Sequence, residues 1–200
     1  RLSRMKFFLE GAEPGARVLD WLELGSPESW ALNRAWMDLD PVATGLFPFV
    51  LTGQTIDRSM YDAINAYTCE AGSDGVVRVS ASNLNYTALD LVQDPKTGVL
   101  TPDSLKVAAP CALAVLPGLS HSGDELGIIK SVPPDPKAQH PTLPAVLRCL
   151  SVSTATDYRK CAAQFETLTE NTQVAEESRS EKRSFLFGGG RVFKTPRCAM

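Results

Sequence analysis

A histidine and a group of acidic residues follow two apolar segments of this sequence, and their types suit acid–base chemistry. Residues 46–52 (Leu-Phe-Pro-Phe-Val-Leu-Thr) precede a segment that carries acids, and His121 lies in a polar loop after a second apolar run, residues 106–116. An imidazole can take a proton from a nucleophile, while a carboxylate beside it fixes its tautomer and stabilises the imidazolium. The sequence therefore offers a base and an orienting acid.

These groups can meet only if the two apolar runs are neighbouring strands. Continuous apolar runs are typical of strands that are covered on both faces, as in parallel sheets under helices. In open α/β sheets, functional groups gather beyond the carboxyl ends of the strands, so both loops are expected at the same edge. Pro110 interrupts the second run, and Pro117 and Gly118 close it.

Helix and turn signals surround these runs. Ser26 is expected to cap a helix that has Pro27 at its first position and extends through Trp36. Residues 157–178 are predicted to form a very polar helix that lies on the surface, because their apolar residues are few but helically spaced. The other predictions are helices at 16–24, 59–67, near 80 and at 144–150, a stiff Pro-rich connector at 133–144, and strands at 185–187 and 191–193 about a glycine turn.

Composition excludes several classes of protein. The 200 residues are 44% hydrophobic and 22% charged, which is ordinary for one globular domain or one domain with an appendage. A net charge of −3 removes the electrostatic case for nucleic-acid binding.

No apolar run reaches the roughly 18 residues of a membrane span, and no signal peptide is visible. We expect a soluble protein, cytoplasmic or exported. Because the chain starts at Arg1 without Met, we also expect it to be a piece of something longer.

The cysteines indicate neither a metal site nor a cofactor. Five Cys at 69, 111, 149, 161 and 198 show no C-x-x-C spacing, and only two His accompany them. Zinc sites need Cys and His ligands at short spacings, so we predict buried free thiols in a reducing compartment. Cys69 or Cys111 as a nucleophile with His121 is the alternative, but a thiolate inside an apolar strand such as that of Cys111 is costly.

Several segments resemble lipase-like α/β-hydrolases, in order and spacing, from about Leu19 to Lys130. Residues 19–33 look like the "D-L-x-x-G-S-x-x-x-x-x-L-N" segment that precedes the acid strand of that family, and residues 47–53 resemble the acid strand. Residues 73–77 (Ser-Asp-Gly-Val-Val) look like the acid loop, with Asn83 and Leu84 following. Residues 116–122 (Leu-Pro-Gly-Leu-Ser-His-Ser) resemble the catalytic-histidine loop.

Carried over to this chain, the resemblance implies that Asp74 is the triad acid and that His121 is the base. Asp57, closer to the end of the 47–52 strand, is the rival acid. Asp74 can also be interpreted simply as the first residue of an Asp-Gly turn. Asp124 is expected to cap a helix, and His140 to be an exposed or packing residue.

The sequence departs from the family pattern at the nucleophile. An α/β-hydrolase carries its serine on a G-x-S-x-G elbow upstream of acid and base, and this sequence contains no such motif. If the resemblance holds, the serine and the oxyanion-hole donors lie outside this chain. Residues 71–75 fit a variant A-x-S-x-G around Ser73, with Asp90 or Asp94 as the acid. However, they lack the apolar strand before an elbow and the helix directly after it.

The resemblance thus implies the C-terminal part of an α/β-hydrolase sheet with flanking helices in residues 1–135. Residues 136–200 are predicted to hold the Pro-rich connector, helices and the start of a β appendage. The implied function is that of a serine ester hydrolase (lipase, phospholipase or esterase) acting on a lipid or another ester. It needs the N-terminal remainder of the hydrolase domain for its nucleophile, and the fragment alone is expected to be inactive. The alternative is a non-catalytic binding or interaction module that keeps the scaffold.

Overall fold

The fold is a mixed α/β arrangement with small parallel and antiparallel sheets. A computed structural model describes residues 18, 20–21, 25–56, 72–135, 137–177, 180–182 and 192–194 of the chain. A 3₁₀ turn at Val42–Thr44 accompanies the regular elements. In chain order these are α1 (Pro27–Met37), β1 (Phe49–Thr52), α2 (Val79–Ser82), β2 (Thr87–Gln93), β3 (Leu100–Val107), β4 (Ala112–Val115), α3 (Thr142–Leu150), α4 (Ala155–Glu177), β5 (Ser180–Lys182) and β6 (Val192–Lys194).

The chain divides into two compact units. One comprises residues 1–40 and 86–109, and the other comprises residues 41–85 and 110–200. The second unit holds both strands that lead to the candidate acid and base.

In the first unit, α1 begins where the sequence predicts. The Ser26 hydroxyl accepts a hydrogen bond from the Ser29 amide at 3.1 Å, and Pro27 occupies the first helical position. Capping by a serine satisfies an amide that has no partner within the helix. The predicted N-terminus of this helix is confirmed.

The second apolar run is not one strand, so this prediction is wrong in part. Lys106 belongs to β3, which pairs antiparallel with β2 in a hairpin, and its ammonium group forms an ion pair with Asp38. The hairpin turns at Asp94, whose carboxylate accepts hydrogen bonds from the amides of Lys96 and Thr97. Pro110 has no N–H with which to continue a ladder, so the chain leaves β3 before β4 begins at Ala112.

In the second unit, β1 and β4 form the parallel pair that the sequence predicts. Phe49 lies opposite Ala112 and Thr52 opposite Val115, and the Leu116 amide donates to the Thr52 carbonyl at 2.8 Å. All four residues of β4 are buried. The segments that follow β1 and β4 therefore emerge at the same edge of the sheet.

Helix α4 is present as predicted, but it does not lie on the surface throughout. Tyr158, Cys161 and Phe165 on one face are almost fully buried and pack in the core with Ala112, Ala114 and Leu116. The Tyr158 ring also stacks on Phe47, with centroids 5.5 Å apart.

Two of the polar residues of α4 are threonines that bind the outer edge of β4. The Thr169 hydroxyl accepts from the Val115 amide at 3.0 Å and donates to the Leu113 carbonyl at 3.3 Å. The Thr172 hydroxyl donates to the Val115 carbonyl at 2.9 Å. Because the Leu116 amide bonds to β1, the backbone groups of the preceding residue point away from β1. Within the described residues β4 pairs with β1 alone, and the hydroxyls bind the backbone groups on its other side.

Several other predictions have mixed outcomes. α3 agrees with the helix predicted at 144–150, and α2 with the helix predicted near residue 80. β6 overlaps the strand predicted at 191–193, but it pairs antiparallel with β5 at residues 180–182 and not with residues 185–187, so the predicted pairing about the glycine turn is wrong. Residues 59–67 and 185–187 lie outside the described residues, as do most of residues 16–24. The division at residue 135 and the appendage stay predictions.

None of the described helices is both long and apolar enough to span a membrane.

Replacing Thr169 by Val tests the edge contact. The change keeps the side-chain shape but leaves the Val115 amide and the Leu113 carbonyl without their hydroxyl partner. We expect a loss of about 1–3 kcal/mol in the free energy of unfolding, measured by urea denaturation. The matched control is Thr167→Val, which removes an exposed hydroxyl from the same helix and should change stability by less than about 0.5 kcal/mol. Equal effects of the two changes would contradict the edge role.

Candidate active site

Asp74 lies in a tight turn that its own carboxylate stabilises. Its Oδ1 accepts hydrogen bonds from the amides of Val76 at 3.0 Å and Val77 at 2.8 Å, and its own amide donates to the Val77 carbonyl. Gly75 has a φ of +100°, a conformation that favours glycine, which explains the Asp-Gly pair at this position. The interpretation of Asp74 as a turn residue is therefore correct, and the turn leaves Oδ2 available to another partner.

His121 lies in a loop that folds back on itself after β4. The Ser120 amide donates to the Leu126 carbonyl at 2.8 Å, and the Ile128 amide donates to the Ser120 carbonyl at 2.9 Å. The Ser120 hydroxyl, which is buried, donates to the Ser122 carbonyl at 2.7 Å. These bonds fix the backbone on both sides of His121.

Two contacts join His121 to Asp74. The imidazole Nδ1 lies 3.0 Å from Asp74 Oδ2, and the His121 amide donates to the Asp74 carbonyl oxygen at 2.8 Å. The Asp74 side chain is 6% exposed and that of His121 is 47% exposed. The structure thus brings together the two residues that the sequence singled out, with a buried carboxylate behind a half-exposed ring.

This geometry determines what the imidazole can do. When the carboxylate is ionised it only accepts hydrogen bonds, and the 3.0 Å contact then requires the proton on Nδ1. In a neutral ring the remaining nitrogen, Nε2, is then unprotonated and can accept a proton from a nucleophile. The carboxylate also stabilises the imidazolium that results. The pair therefore has the geometry that a general base and its orienting acid require.

The end of β1 supports the His121 loop through a close backbone contact that sequence reasoning missed. The Thr55 amide donates to the Leu119 carbonyl at 2.9 Å. Gly53 lies so close to this carbonyl that a Cβ atom there would overlap it. The available signal was the glycine directly after an apolar strand, which often marks close backbone approach.

The other candidate residues have different surroundings. Asp57 lies outside the described residues. Asp124 is exposed, pairs with Lys130 at 3.5 Å and belongs to a turn rather than to a helix, so its predicted capping role is wrong. His140 is half-buried: its Nε2 contacts the Ser131 hydroxyl at 2.9 Å, and its Nδ1 accepts from the Thr142 amide at 3.3 Å. These contacts agree with a packing role.

The alternative serine site receives no support from its surroundings. Ser73 is buried, and its hydroxyl accepts from the Gly75 amide at 3.2 Å within the Asp74 turn. Asp90 accepts a hydrogen bond from the Ser104 hydroxyl, and Asp94 holds the hairpin turn. Of these three acids, Asp74 is the one that contacts the His121 ring.

The described cysteines are poor nucleophiles. Burial raises the pKa of Cys111, whose Sγ contacts the Pro48 carbonyl oxygen, and it also raises the pKa of Cys161. Burial likewise raises the pKa of Cys149 to about 11. Cys69 and Cys198 lie outside the described residues. Within the part of the chain that the structure describes, no three His, Cys, Asp or Glu side chains form a candidate metal site.

Gly53→Ala tests the close approach between β1 and the His121 loop. The added methyl group meets a backbone carbonyl that cannot rotate away, so we expect a loss of about 3 kcal/mol or more in unfolding free energy. The control, Gly118→Ala in the same loop, places its methyl in open space but at a φ of +71°, which costs about 1–2 kcal/mol. Denaturation curves that rank the two variants in the opposite order would contradict this contact.

Alkylation tests the state of the thiols. At pH 8 we expect iodoacetamide to spare Cys111, Cys149 and Cys161 in the folded chain and to label all three in urea, as measured by peptide mass spectrometry.

The same thiols predict a pH dependence of stability. The thiol of an unfolded cysteine ionises near its ordinary pKa of 9.0, whereas Cys149 in the folded chain stays protonated until its raised pKa of about 11. The contribution of this group is therefore complete below about pH 9 and is lost as pH rises through about 11. Urea denaturation at pH 8 and pH 10 measures it, and rapid native labelling at pH 8 would refute the assignment.

Fold and site together define a class. Parallel β1 and β4, followed by an acid turn and a histidine loop in contact, are consistent with part of an α/β-hydrolase. The order of acid before histidine also agrees with that class.

Comparison with known proteins supports a lipase-like hydrolase more specifically. No protein-family model and no curated protein matches the chain. Among solved structures, the chain is similar to phospholipase PlaB from Legionella pneumophila, with 46% identity and a TM-score of 0.78. A second structure of that phospholipase, in complex with thio-NAD, gives 46% identity and a TM-score of 0.77. Each match covers 90% of this chain and 38% of the phospholipase, so this chain spans well under half of that protein.

Proposed function

We propose that this chain supplies the acid and the base of a Ser-His-Asp triad in a lipid ester hydrolase, with a phospholipid as the substrate class. The observation that carries the proposal is the 3.0 Å contact between His121 Nδ1 and Asp74 Oδ2. The phospholipase likeness supports the substrate class, because the chain shares 46% of its residues with that enzyme over the aligned region.

In the proposed mechanism, His121 Nε2 takes the proton of a serine hydroxyl as the serine oxygen attacks the ester carbonyl. The protonated ring then gives this proton to the departing alcohol, and an acyl-enzyme forms. A water molecule, deprotonated by the same nitrogen, releases the fatty acid and restores the serine. Asp74 Oδ2 accepts the hydrogen bond of Nδ1 throughout and stabilises the imidazolium of each step.

The serine and the oxyanion-hole donors are proposed to lie on the N-terminal remainder of the hydrolase domain. Two facts support this: the sequence contains no G-x-S-x-G, and the chain spans 38% of the similar phospholipase. The 200 residues alone are therefore proposed to be inactive.

Labelling with a fluorophosphonate probe tests the triad. In a protein that joins this chain to an upstream G-x-S-x-G segment, we expect one serine of that segment to be labelled. His121→Ala should reduce the labelling rate about 10⁴-fold or more, because the serine loses its base. Asp74→Asn should reduce it about 10⁴-fold, because the ring loses its orienting acid. Phospholipid hydrolysis measured as released fatty acid should fall in parallel.

His140→Ala is the matched control, because it removes the other histidine of the chain and should leave labelling within a few-fold of the original. Labelling that persists in His121→Ala, or a folded protein in which no serine is labelled, would contradict the proposal. The second result favours the alternative, a binding module on the hydrolase scaffold.

A further inference from the structure

The residue before His121 is a serine whose side chain is shielded from solvent. Ser120 is 1% exposed, and its hydroxyl donates a hydrogen bond to the Ser122 carbonyl at 2.7 Å. Serine is mostly found on protein surfaces, and burial of a hydroxyl costs free energy unless it is hydrogen-bonded. The bond spans the candidate base, because it joins the residue before His121 to the residue after it.

The backbone of Ser120 is itself held at two atoms. Its amide donates to the Leu126 carbonyl at 2.8 Å, and its carbonyl accepts from the Ile128 amide at 2.9 Å. The Ile128 carbonyl accepts from the Thr142 hydroxyl at 2.6 Å, and Thr142 is the first residue of α3. Ser120 is thus tied to a helix through the returning side of the loop, so its hydroxyl has a defined position.

These bonds restrain the chain on both sides of His121. On the N-terminal side, the peptide group that precedes His121 is bound at its carbonyl by the Ile128 amide and at its own amide by the Asp74 carbonyl. On the C-terminal side, the Ser120 hydroxyl holds the Ser122 carbonyl. The φ and ψ angles of His121 lie between these held peptide groups, and they determine which orientations the ring can adopt.

The contact between the ring and the carboxylate depends on that orientation. His121 Nδ1 lies 3.0 Å from Asp74 Oδ2, and Oδ1 of the same carboxylate is held by two backbone amides. The carboxylate cannot turn to follow the ring, and the ring is half-exposed, so packing holds only part of it. A misplacement of about 1 Å at a reacting group costs about 100-fold in rate. The backbone must therefore aim the ring.

A nucleophilic role for Ser120 does not fit its surroundings. A serine nucleophile must meet an ester carbonyl, and it gives its proton to the base. The Ser120 side chain is buried, and its proton faces the Ser122 carbonyl rather than the imidazole. Holding the loop is the role that agrees with these contacts.

We propose that Ser120 is a positioning residue of the triad, and that its hydroxyl fixes the backbone from which His121 reaches Asp74. Without this hydroxyl, the Ser122 carbonyl loses the donor that holds it, and the ring samples orientations in which Nδ1 no longer meets Oδ2. The inference rests on the proposed function, because a positioning residue requires a base to position.

The tautomer of His121 in the 200-residue chain is the first readout, because it needs no nucleophile. We expect Ser120→Ala to shift the ¹⁵N signals of His121 toward the tautomer mixture of a free imidazole, whereas the matched control Ser131→Ala leaves them unchanged. The Ser131 hydroxyl donates to the Gly127 carbonyl in the same loop, also at 2.7 Å. That carbonyl keeps the Ser131 amide, at 3.0 Å, as a second partner.

Activity in the protein that joins this chain to an upstream G-x-S-x-G segment is the second readout. We expect Ser120→Ala to lower the rate of fluorophosphonate labelling and the kcat for phospholipid hydrolysis about 10- to 100-fold, with little change in KM, because the ring is misplaced while substrate binding is kept. Ser120→Cys, which offers a weaker S–H donor in place of the hydroxyl, should give an intermediate rate. Ser131→Ala should stay within a few-fold of the original rate.

An unchanged His121 tautomer in folded Ser120→Ala, an unchanged rate in a joined protein whose serine is labelled, or an equal loss in Ser131→Ala would each overturn the proposal. Circular dichroism verifies that the variants are folded. If Ser120→Ala does not fold, Ser120→Cys decides, and the original tautomer and rate in that variant would overturn the proposal.

The outcome for the triad can be distinguished from the outcome for Ser120. If no serine is labelled in the joined protein while Ser120→Ala still changes the His121 tautomer, the hydrolase proposal fails and the hold of Ser120 on the ring stands. If labelling depends on His121 and not on Ser120, the triad stands and the positioning role is refuted.

Discussion

The site depends on one buried carboxylate whose two oxygens have separate partners. Asp74 Oδ1 accepts from the amides of Val76 and Val77, and Oδ2 contacts the His121 ring. A carboxylate held by backbone amides cannot rotate to follow a mobile histidine, so the ring must be brought to it. The bond from the His121 amide to the Asp74 carbonyl does this through the backbone. Orientation, more than proximity alone, is what a base and its orienting acid require.

The rest of the second unit serves to hold these two turns in place. The segments that carry Asp74 and His121 follow β1 and β4, which form one parallel pair. Gly53, which has no side chain, lets the end of β1 lie against the Leu119 backbone. On the other side of β4, the hydroxyls of α4 satisfy the backbone groups that a further strand would pair. The strand that leads to His121 is thus fixed from both edges, although the sheet has only two strands within the described residues.

The sequence predicted those features whose signals are local. Ser26 and Pro27 define the start of α1, the apolar run before Gly53 indicates a parallel strand, and residues 73–77 indicate a turn. The resemblance added the pairing of Asp74 with His121, which spacing alone left open. Two other long-range features were not predicted: the hydrogen bonds from α4 side chains to the β4 backbone, and the β2–β3 hairpin. The threonines of α4 resemble surface residues in the sequence because their partners are backbone groups more than 50 positions away, and the β2–β3 hairpin was missed because its strands are exposed on both faces.

The tautomers of the two histidines test the central claim most directly. Long-range ¹H–¹⁵N spectra of the 200-residue chain at neutral pH distinguish protonation at Nδ1 from protonation at Nε2. We expect His121 to carry its proton on Nδ1, facing Asp74, and expect this preference to disappear in Asp74→Asn. His140, whose Nδ1 accepts from the Thr142 amide, should show the opposite tautomer and serves as an internal reference. A proton on Nε2 of His121, or a spectrum that Asp74→Asn leaves unchanged, would contradict the account.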